Sequence, residues 1–105
     1  MKPDDPILKR CRAILEDLYG DRLKGVILYG STARGTDTEE SDIDLLVLLE
    51  GTFVMYTEVC RIWDVLYPVQ LDCDRAISVM PVDSESYRNG VCRLYRSVLR
   101  EGLPV

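Results

Sequence analysis

The chain has 105 residues, is 47% hydrophobic and carries a formal net charge of -5. That length fits one domain, residues 1–105, with one hydrophobic core. The acidic balance argues against indiscriminate nucleic-acid binding, which relies on a cationic surface. No apolar run is long enough to span a bilayer, and the first residues do not resemble a signal peptide, so we expect a cytoplasmic protein without a membrane partner.

Cysteine and histidine chemistry is not expected in this chain. The sequence contains no histidine, which excludes a Ser-His-Asp or Cys-His mechanism. No two cysteines have CxxC spacing, and this argues against a structural zinc site. We expect reduced and largely buried thiols at the four positions, Cys11, Cys60, Cys73 and Cys92.

The first half of the chain predicts a helix followed by a strand and a loop. Apolar residues recur at helical spacing over 6–19, and Gly20 is a plausible stop. The short apolar run Val26 to Tyr29 predicts a buried strand. Residues 30–41 are rich in Gly, Ser, Thr and acid, so they predict a loop, with a short helical turn from Ser31 through Arg34.

A second strand and a second helix follow. Residues 42–49 predict a strand, and its uninterrupted apolar stretch, Leu45 to Leu49, indicates burial on both faces. Residues 53–67 predict a helix that Pro68 ends. The aromatic side chains of this helix are expected to pack in the core: Tyr56, Trp63 and Tyr67.

The last part of the chain predicts a third strand and a third long helix. The strand covers 76–82, and Pro81 places that end at an edge or at the strand's finish. Asp83 or Ser84 would cap the last helix, which Gly102 would stop. This order of elements predicts an α/β (α+β) fold, a small mixed β-sheet with helices packed on it.

Gly30 and Ser31 directly follow the first predicted strand. A strand that turns straight into a helix N-terminus presents free backbone N–H groups, which favour a phosphate. Glycine lets the backbone approach a ligand closely, and a serine hydroxyl can bond a phosphate oxygen. The alternative interpretation is a turn glycine followed by a helix-capping serine.

Asp42 and Asp44 open the second predicted strand. Side chains two apart on a strand face the same way, with a rise of about 3.3 Å per residue, so the two carboxylates can converge on one cation or a close pair. Ile43 would then point into the core. Two like charges at the mouth of a buried strand need a counterion, and Mg²⁺ is the usual one. A solvated strand start remains the alternative.

Gly30-Ser31, a ten-residue gap and Asp42-Ile43-Asp44 together resemble the signature of the DNA polymerase beta-like nucleotidyltransferase superfamily. The flanking residues resemble its smallest branch, the minimal nucleotidyltransferases of bacteria and archaea. The resemblance implies that core fold and an enzyme that uses ATP and Mg²⁺, with two ions, to transfer AMP to a hydroxyl of a protein or other acceptor.

The same resemblance implies roles for individual residues. Asp42 and Asp44 would be catalytic metal ligands, while Gly30 and Ser31 would hold the triphosphate. Arg34 lies one helical turn beyond Ser31 and could neutralise phosphate charge. Equally, it could be a surface arginine that pairs with the nearby acids, Asp37, Glu39 and Glu40.

A third carboxylate, usual on the next core strand of active members, is not evident. Serine occupies that position in Ile77-Ser78-Val79. Asp72 and Asp74 lie upstream and would share the Ser78 face if the strand extended that far, with Asp74 about 13 Å away. Three interpretations stay open. Asp74 or Asp72 serves as the metal ligand, catalysis proceeds weakly with two acids, or the domain binds nucleotide and metal without transferring anything.

The chain lacks the helical domain that larger members add, so a partner or another copy would supply the missing surfaces. The resemblance implies a small helical partner of the HEPN class, in a toxin–antitoxin pair in which this chain is the antitoxin. The alternative is a catalytically weak or inactive nucleotide-binding module that neutralises its partner by binding, or a nucleotide sensor.

Overall fold

The computed structural model describes residues 2–105 as five α-helices and four strands. The helices are α1 Pro6–Tyr19, α2 Gly30–Arg34, α3 Met55–Leu71, α4 Ser84–Arg88 and α5 Arg93–Glu101, and a 3-10 turn covers Gly20–Arg22. The strands are β1 Leu23–Tyr29, β2 Ile43–Leu49, β3 Ile77–Asp83 and β4 Leu103–Pro104. Within residues 2–105, no helix has both the length and the apolar character needed to cross a membrane.

The strands form one mixed sheet in the order β3-β2-β1-β4. Strand β1 pairs antiparallel with β2 and with β4, whereas β2 and β3 are parallel because α3 connects them. The predicted fold class, a small mixed sheet with helices packed on it, is confirmed.

Helices cover both faces of this sheet. One face packs against α1 and α3 through side chains such as Leu28, Ile43 and Leu45. The other face packs against α4 and α5 through Leu46 and Leu48. Every residue from Leu45 to Leu49 is at most 7% exposed, so the prediction that β2 is buried on both faces is confirmed.

Helix α3 runs through Pro68, so the predicted stop at that residue is wrong. A proline inside a helix removes the hydrogen bond to the carbonyl four residues earlier, here that of Asp64. Asp64 and Pro68 both lie on the exposed side, where water can satisfy that carbonyl. The helix continues because Val69, in its last turn, is fully buried.

The buried side of α3 also differs from the predicted one. Tyr56 and Tyr67 are 78% and 59% exposed, and only Trp63 is partly buried, so the core prediction for these two tyrosines is wrong. The face turned to the sheet carries Ile62 and other residues, and includes the buried acid Glu58. Periodicity did not reveal Glu58 as a core-facing residue.

A polar contact explains why Glu58 is inside. The Tyr19 hydroxyl donates to Glu58 Oε1 at 2.9 Å, and Arg61 pairs with the same oxygen at 3.0 Å. A buried carboxylate with two such partners is tolerated, because its charge and lone pairs are satisfied. The contact fixes the end of α1 against the first turns of α3.

The predicted last helix is two helices. Helices α4 and α5 are separated at residues 89–92, where Gly90 has a φ of 59° that favours glycine. Beyond α5 the chain adds the unpredicted strand β4, which pairs with Ile27 and Leu28 of β1. Two residues are too short a strand to leave a periodic signal.

The four thiols are free, and their burial is uneven. Cys11 is buried and Cys73 is half-buried, while Cys60 and Cys92 are exposed. The prediction of largely buried thiols is therefore wrong for the last two.

Strand β3 forms one edge of the sheet. The Ile43 N–H donates to the Ala76 carbonyl at 2.8 Å, so the backbone polar groups of Ala76 face β2. By alternation, those of Ile77, Val79 and Pro81 face outward, as predicted for an edge proline. The Gln70 side chain accepts the Ile77 N–H at 2.8 Å.

Candidate functional site

The motif has two halves, Gly30-Ser31 and Asp42-Ile43-Asp44, and they meet where β1 ends and β2 begins. Tyr29, Asp44 and Ser78 are register partners on β1, β2 and β3, so they form one row across the sheet. The row lies on the face that carries α4 and α5, because Asp44 alternates in phase with Leu46 and Leu48. Ser78 therefore stands beside Asp44, at the position where the resemblance leads one to expect a third acid.

Gly30 makes the closest approach between the two halves. It is the first residue of α2 and has a φ of 76°. A Cβ atom placed on it would lie 2.5 Å from Asp44 Oδ2. Both the positive φ and the missing side chain are therefore required at this position, which lies directly against Asp44.

Ser31 is not the cap of α2. Tyr29 occupies the cap position, without a side-chain hydrogen bond, and Ser31 is the second residue of the helix. Its carbonyl accepts the Thr36 N–H at 3.0 Å, which closes the end of the turn. The alternative interpretation of Ser31 as a helix-capping serine is thus wrong, and its hydroxyl is not used for capping.

Arg34 contacts α5 rather than the acids of its own loop. Its Nη1 lies 3.7 Å from Glu101 Oε2, with both side chains about half exposed. The pair borders a cavity of about 210 Å³ between α2 and α5, which Gly30 also lines. Because an exposed pair at this distance is weak, a bound phosphate could compete with Glu101 for Arg34.

Asp42 and Asp44 flank the fully buried Ile43, as predicted. Asp42 is exposed, and Asp44 is half-buried. Burial raises the pKa of Asp44, the negative charge of Asp42 raises it further, and the nearby Arg75 guanidinium opposes both effects. The two carboxylates therefore repel each other.

This donor set fits a divalent cation. The hydrogen bonds that Thr32 and Arg75 make to Asp42 go to its carbonyl oxygen and leave its carboxylate available. Two carboxylates with substrate phosphate oxygens are the ligands that Mg²⁺ prefers.

Asp72 and Asp74 do not join this pair. Strand β3 begins at Ile77, so the strand does not extend to these residues. Asp72 ends α3 and pairs with Arg10 at 3.0 Å, while Asp74 is exposed beside an open acidic cavity. Among residues 2–105, no three Asp, Glu, Cys or His side chains converge as a metal site. Asp74 thus does not complete a three-carboxylate cluster.

Arg75 is the site residue that the sequence analysis missed. Its Nε donates to the Ser41 carbonyl at 2.8 Å, its Nη1 to Asp37 Oδ2 at 3.0 Å and its Nη2 to Thr32 Oγ1 at 2.7 Å. The signal that could have revealed it is topological. Since β2 and β3 are parallel, the residues just before each strand lie side by side.

Comparison with known proteins agrees with this geometry. Residues 8–81 match the family model described as nucleotidyltransferase domain. Over 101 residues, covering 94% of each chain, the sequence is 35% identical to MJ0604 of Methanocaldococcus jannaschii, a protein provisionally named a protein adenylyltransferase.

Solved structures share the fold. One, provisionally described as a minimal nucleotidyltransferase, matches with a TM-score of 0.56 and 29% identity, over 92% of this chain and 90% of that one. A chain from a toxin–antitoxin MntA–HpeT structure matches with a TM-score of 0.62 over 92% of this chain and 69% of that one. At 24% identity, this second match shows the fold alone. The family model, the full-length relative and the shared fold establish that this chain belongs to the nucleotidyltransferase domain family, as a minimal nucleotidyltransferase.

Proposed function

We propose that this protein transfers AMP from ATP, with Mg²⁺, to a hydroxyl group on a partner protein. The observation that supports the proposal is the close approach of Gly30 to Asp44, which brings the start of α2 next to the carboxylate pair. The name of the full-length relative, a protein adenylyltransferase, supports AMP as the transferred group.

The chain's own residues would bind and orient the nucleotide. Gly30 lets the start of α2 lie against the Asp44 carboxylate, and the Ser31 hydroxyl, free of capping, can donate to a phosphate oxygen. Arg34 can exchange Glu101 for a phosphate oxygen. Together these groups would hold the α phosphate in front of Asp42 and Asp44.

The reaction is a displacement at the α phosphorus. The acceptor hydroxyl oxygen forms a bond to that phosphorus, the bond to the bridging oxygen of the β phosphate breaks, and pyrophosphate leaves with the bonding electrons. The proton of the hydroxyl passes to a site carboxylate or to solvent.

Asp42 and Asp44 are the residues that would hold Mg²⁺, two ions by the family expectation. When bound, Mg²⁺ would polarise the α phosphate and neutralise the charge of the leaving pyrophosphate. The carboxylates fit that role because the charge of Asp42 acts on Asp44 and the hydrogen bonds to Asp42 are directed to its carbonyl oxygen.

The acceptor is proposed to be a small helical HEPN-type protein, in a pair in which this chain is the antitoxin. The support is the family resemblance, together with the shared fold of an MntA chain from a toxin–antitoxin structure. Self-association is the competing source of an acceptor surface.

A second candidate function is neutralisation by binding alone, with little or no transfer. The observation that favours it is Ser78, which is the register partner of Asp44 where a third acid is expected. A hydroxyl is a poor metal ligand and a poor general base, so turnover with two acids would be slow.

One experiment separates the two functions. The protein is incubated with labelled ATP, Mg²⁺ and the helical partner, and both label transfer and neutralisation are measured. The test variant combines Asp42→Asn with Asp44→Asn, and the control combines Asp17→Asn with Asp64→Asn, two exposed acids on α1 and α3. Transfer is expected from the wild type and the control only.

The outcomes are distinct. If the test variant still binds the partner but loses both transfer and protection, transfer is the function. If protection survives in that variant, binding is sufficient. Absence of label on any acceptor, with intact nucleotide binding by the wild type, would refute the transferase proposal.

A further inference from the structure

The guanidinium of Arg75 links four places that surround the candidate site. Besides the Ser41 carbonyl, the Asp37 carboxylate and the Thr32 hydroxyl, it reaches the Asp42 carbonyl at 3.4 Å. Thr32 belongs to α2, which carries the phosphate-binding turn, whereas Ser41 and Asp42 directly precede β2. A single side chain on the β3 side thus connects the two halves of the motif.

The connection is largely shielded from solvent. The Arg75 and Asp37 side chains are only 13% and 14% exposed, and they form an ion pair at 3.0 Å. Thr32 is 2% exposed, and its hydroxyl accepts from Arg75 while it donates to the Asp42 carbonyl at 3.2 Å. Such charge-assisted bonds in a shielded place are stronger and more geometrically specific than surface pairs.

The contact of Arg75 with Asp42 goes to the backbone and leaves the carboxylates of Asp42 and Asp44 available. Arg75 bonds the Asp42 carbonyl oxygen and lies beside the carboxylate pair without bonding its oxygens. Arg75 forms its ion pair with Asp37, in the middle of the loop. The positive charge of Arg75 is therefore paired with an acid other than the proposed metal ligands. An arginine placed this way can fix where Asp42 lies without competing for its carboxylate.

We propose that Arg75 is the positioning residue of this site: it clamps the loop of residues 35–42 against α2, so that Asp42 keeps a fixed place beside the phosphate-binding turn before nucleotide arrives. The idea rests on the proposed function for its catalytic consequence, though not for the clamp itself. Lysine cannot replace this arginine, because a single ammonium cannot reach the four acceptors that the planar fork serves.

The test compares Arg75→Lys with Arg10→Lys in the full-length protein. Arg10 is a matched control because its guanidinium bonds Asp72, in the same connection between α3 and β3, in an ion pair that is 44% and 63% exposed. Amide hydrogen exchange is measured across the chain, and Mg²⁺-dependent binding is measured with a non-hydrolysable ATP analogue. Transfer kinetics are measured as separate kcat and KM values.

In Arg75→Lys, we expect exchange at residues 36–42 to become at least about tenfold faster, while the amides of β1 and β2 remain protected. The Mg²⁺ concentration needed for analogue binding should rise about 10- to 100-fold, and kcat should fall by a similar factor. Arg10→Lys should leave all three unchanged. A merely structural role would instead accelerate exchange throughout the sheet and leave the Mg²⁺ requirement unaltered, and that result would overturn the proposal.

If Arg75→Lys fails to fold, Thr32→Val decides the matter, because it removes the bonds of the Thr32 hydroxyl to Arg75 and to the Asp42 carbonyl and keeps the arginine. Local loosening of 36–42 with a raised Mg²⁺ requirement would support the clamp, and unchanged exchange there would refute it. A wild type that binds nucleotide without transfer would refute the proposed function alone, since loop exchange and Mg²⁺-dependent binding still decide the role of Arg75.

Discussion

Replacement of Gly30 by alanine should separate the geometry of the site from the stability of the fold. The new Cβ would lie 2.5 Å from Asp44 Oδ2, whereas ordinary contact begins at 3.4 Å. The carboxylate must therefore retreat by about 1 Å, and a displacement of that size can reduce the rate of an enzyme about 100-fold. The retreat is energetically cheap because the oxygen lies at the free end of a half-exposed side chain.

Gly35→Ala is the matched control. Gly35 has a φ of 75°, against 76° for Gly30, and a Cβ atom on it would meet nothing within 4 Å. Both variants should therefore lose about 1 to 2 kcal/mol of unfolding free energy through the positive φ. Urea unfolding measures this shared effect and shows whether the two proteins are equally folded.

Only Gly30→Ala should lose function. We expect transfer of labelled AMP, or Mg²⁺-dependent binding of a non-hydrolysable ATP analogue, to weaken about 100-fold in Gly30→Ala and to stay within about twofold of the wild type in Gly35→Ala. Equal function in the two variants at equal stability would show that the close approach to Asp44 is not needed, and the reasoning would fail.

Three further predictions concern single side chains. Ser78→Asp, beside Asp44 in the register, should increase Mg²⁺-dependent transfer if the missing acid limits turnover; an unchanged rate would argue against that limit. Without metal, Asp44→Asn should be more stable than the wild type near neutral pH, because burial and Asp42 raise the pKa of Asp44 and its charged form is unfavourable in the folded state. That advantage should disappear as the pH falls through the raised pKa, which urea unfolding at several pH values would show. Tyr19→Phe should lose about 1 to 2 kcal/mol by removing the bond to the buried Glu58, while Tyr56→Phe, 78% exposed, should change nothing in the same assay.

The elements that carry the motif could be predicted because their signals are local. The apolar stretch of β2 and the helical spacing of α1 each depend on neighbours in the sequence. The sequence could accordingly indicate that Gly30 and the two aspartates lie at the ends of two buried strands. The register that pairs Tyr29 with Asp44 is evident only from the structure, because the long loop between the strands does not fix it.

Arg75 could not be predicted in the same way, because its contacts are non-local. They depend on β3 running parallel to β2, and hence on the length of α3, which sequence reasoning ended too early at Pro68. For the same reason the sequence left open whether β3 extends to Asp72 and Asp74, which lie in the turn before it. Glu58 was missed because burial of an acid depends on a partner, Tyr19, 39 residues away.

The outer edge of β3 has a consequence for how copies of this protein behave at high concentration. An open strand edge invites another chain to extend the sheet through backbone hydrogen bonds. Along this edge the Ile77 N–H is already bonded to the Gln70 side chain, and Pro81 has no backbone N–H. The outward N–H of Val79 therefore lies between two positions that cannot donate to another strand. A foreign strand would therefore find few free N–H groups to pair with along this edge, so we expect the edge to extend into a larger sheet less readily than a fully free one.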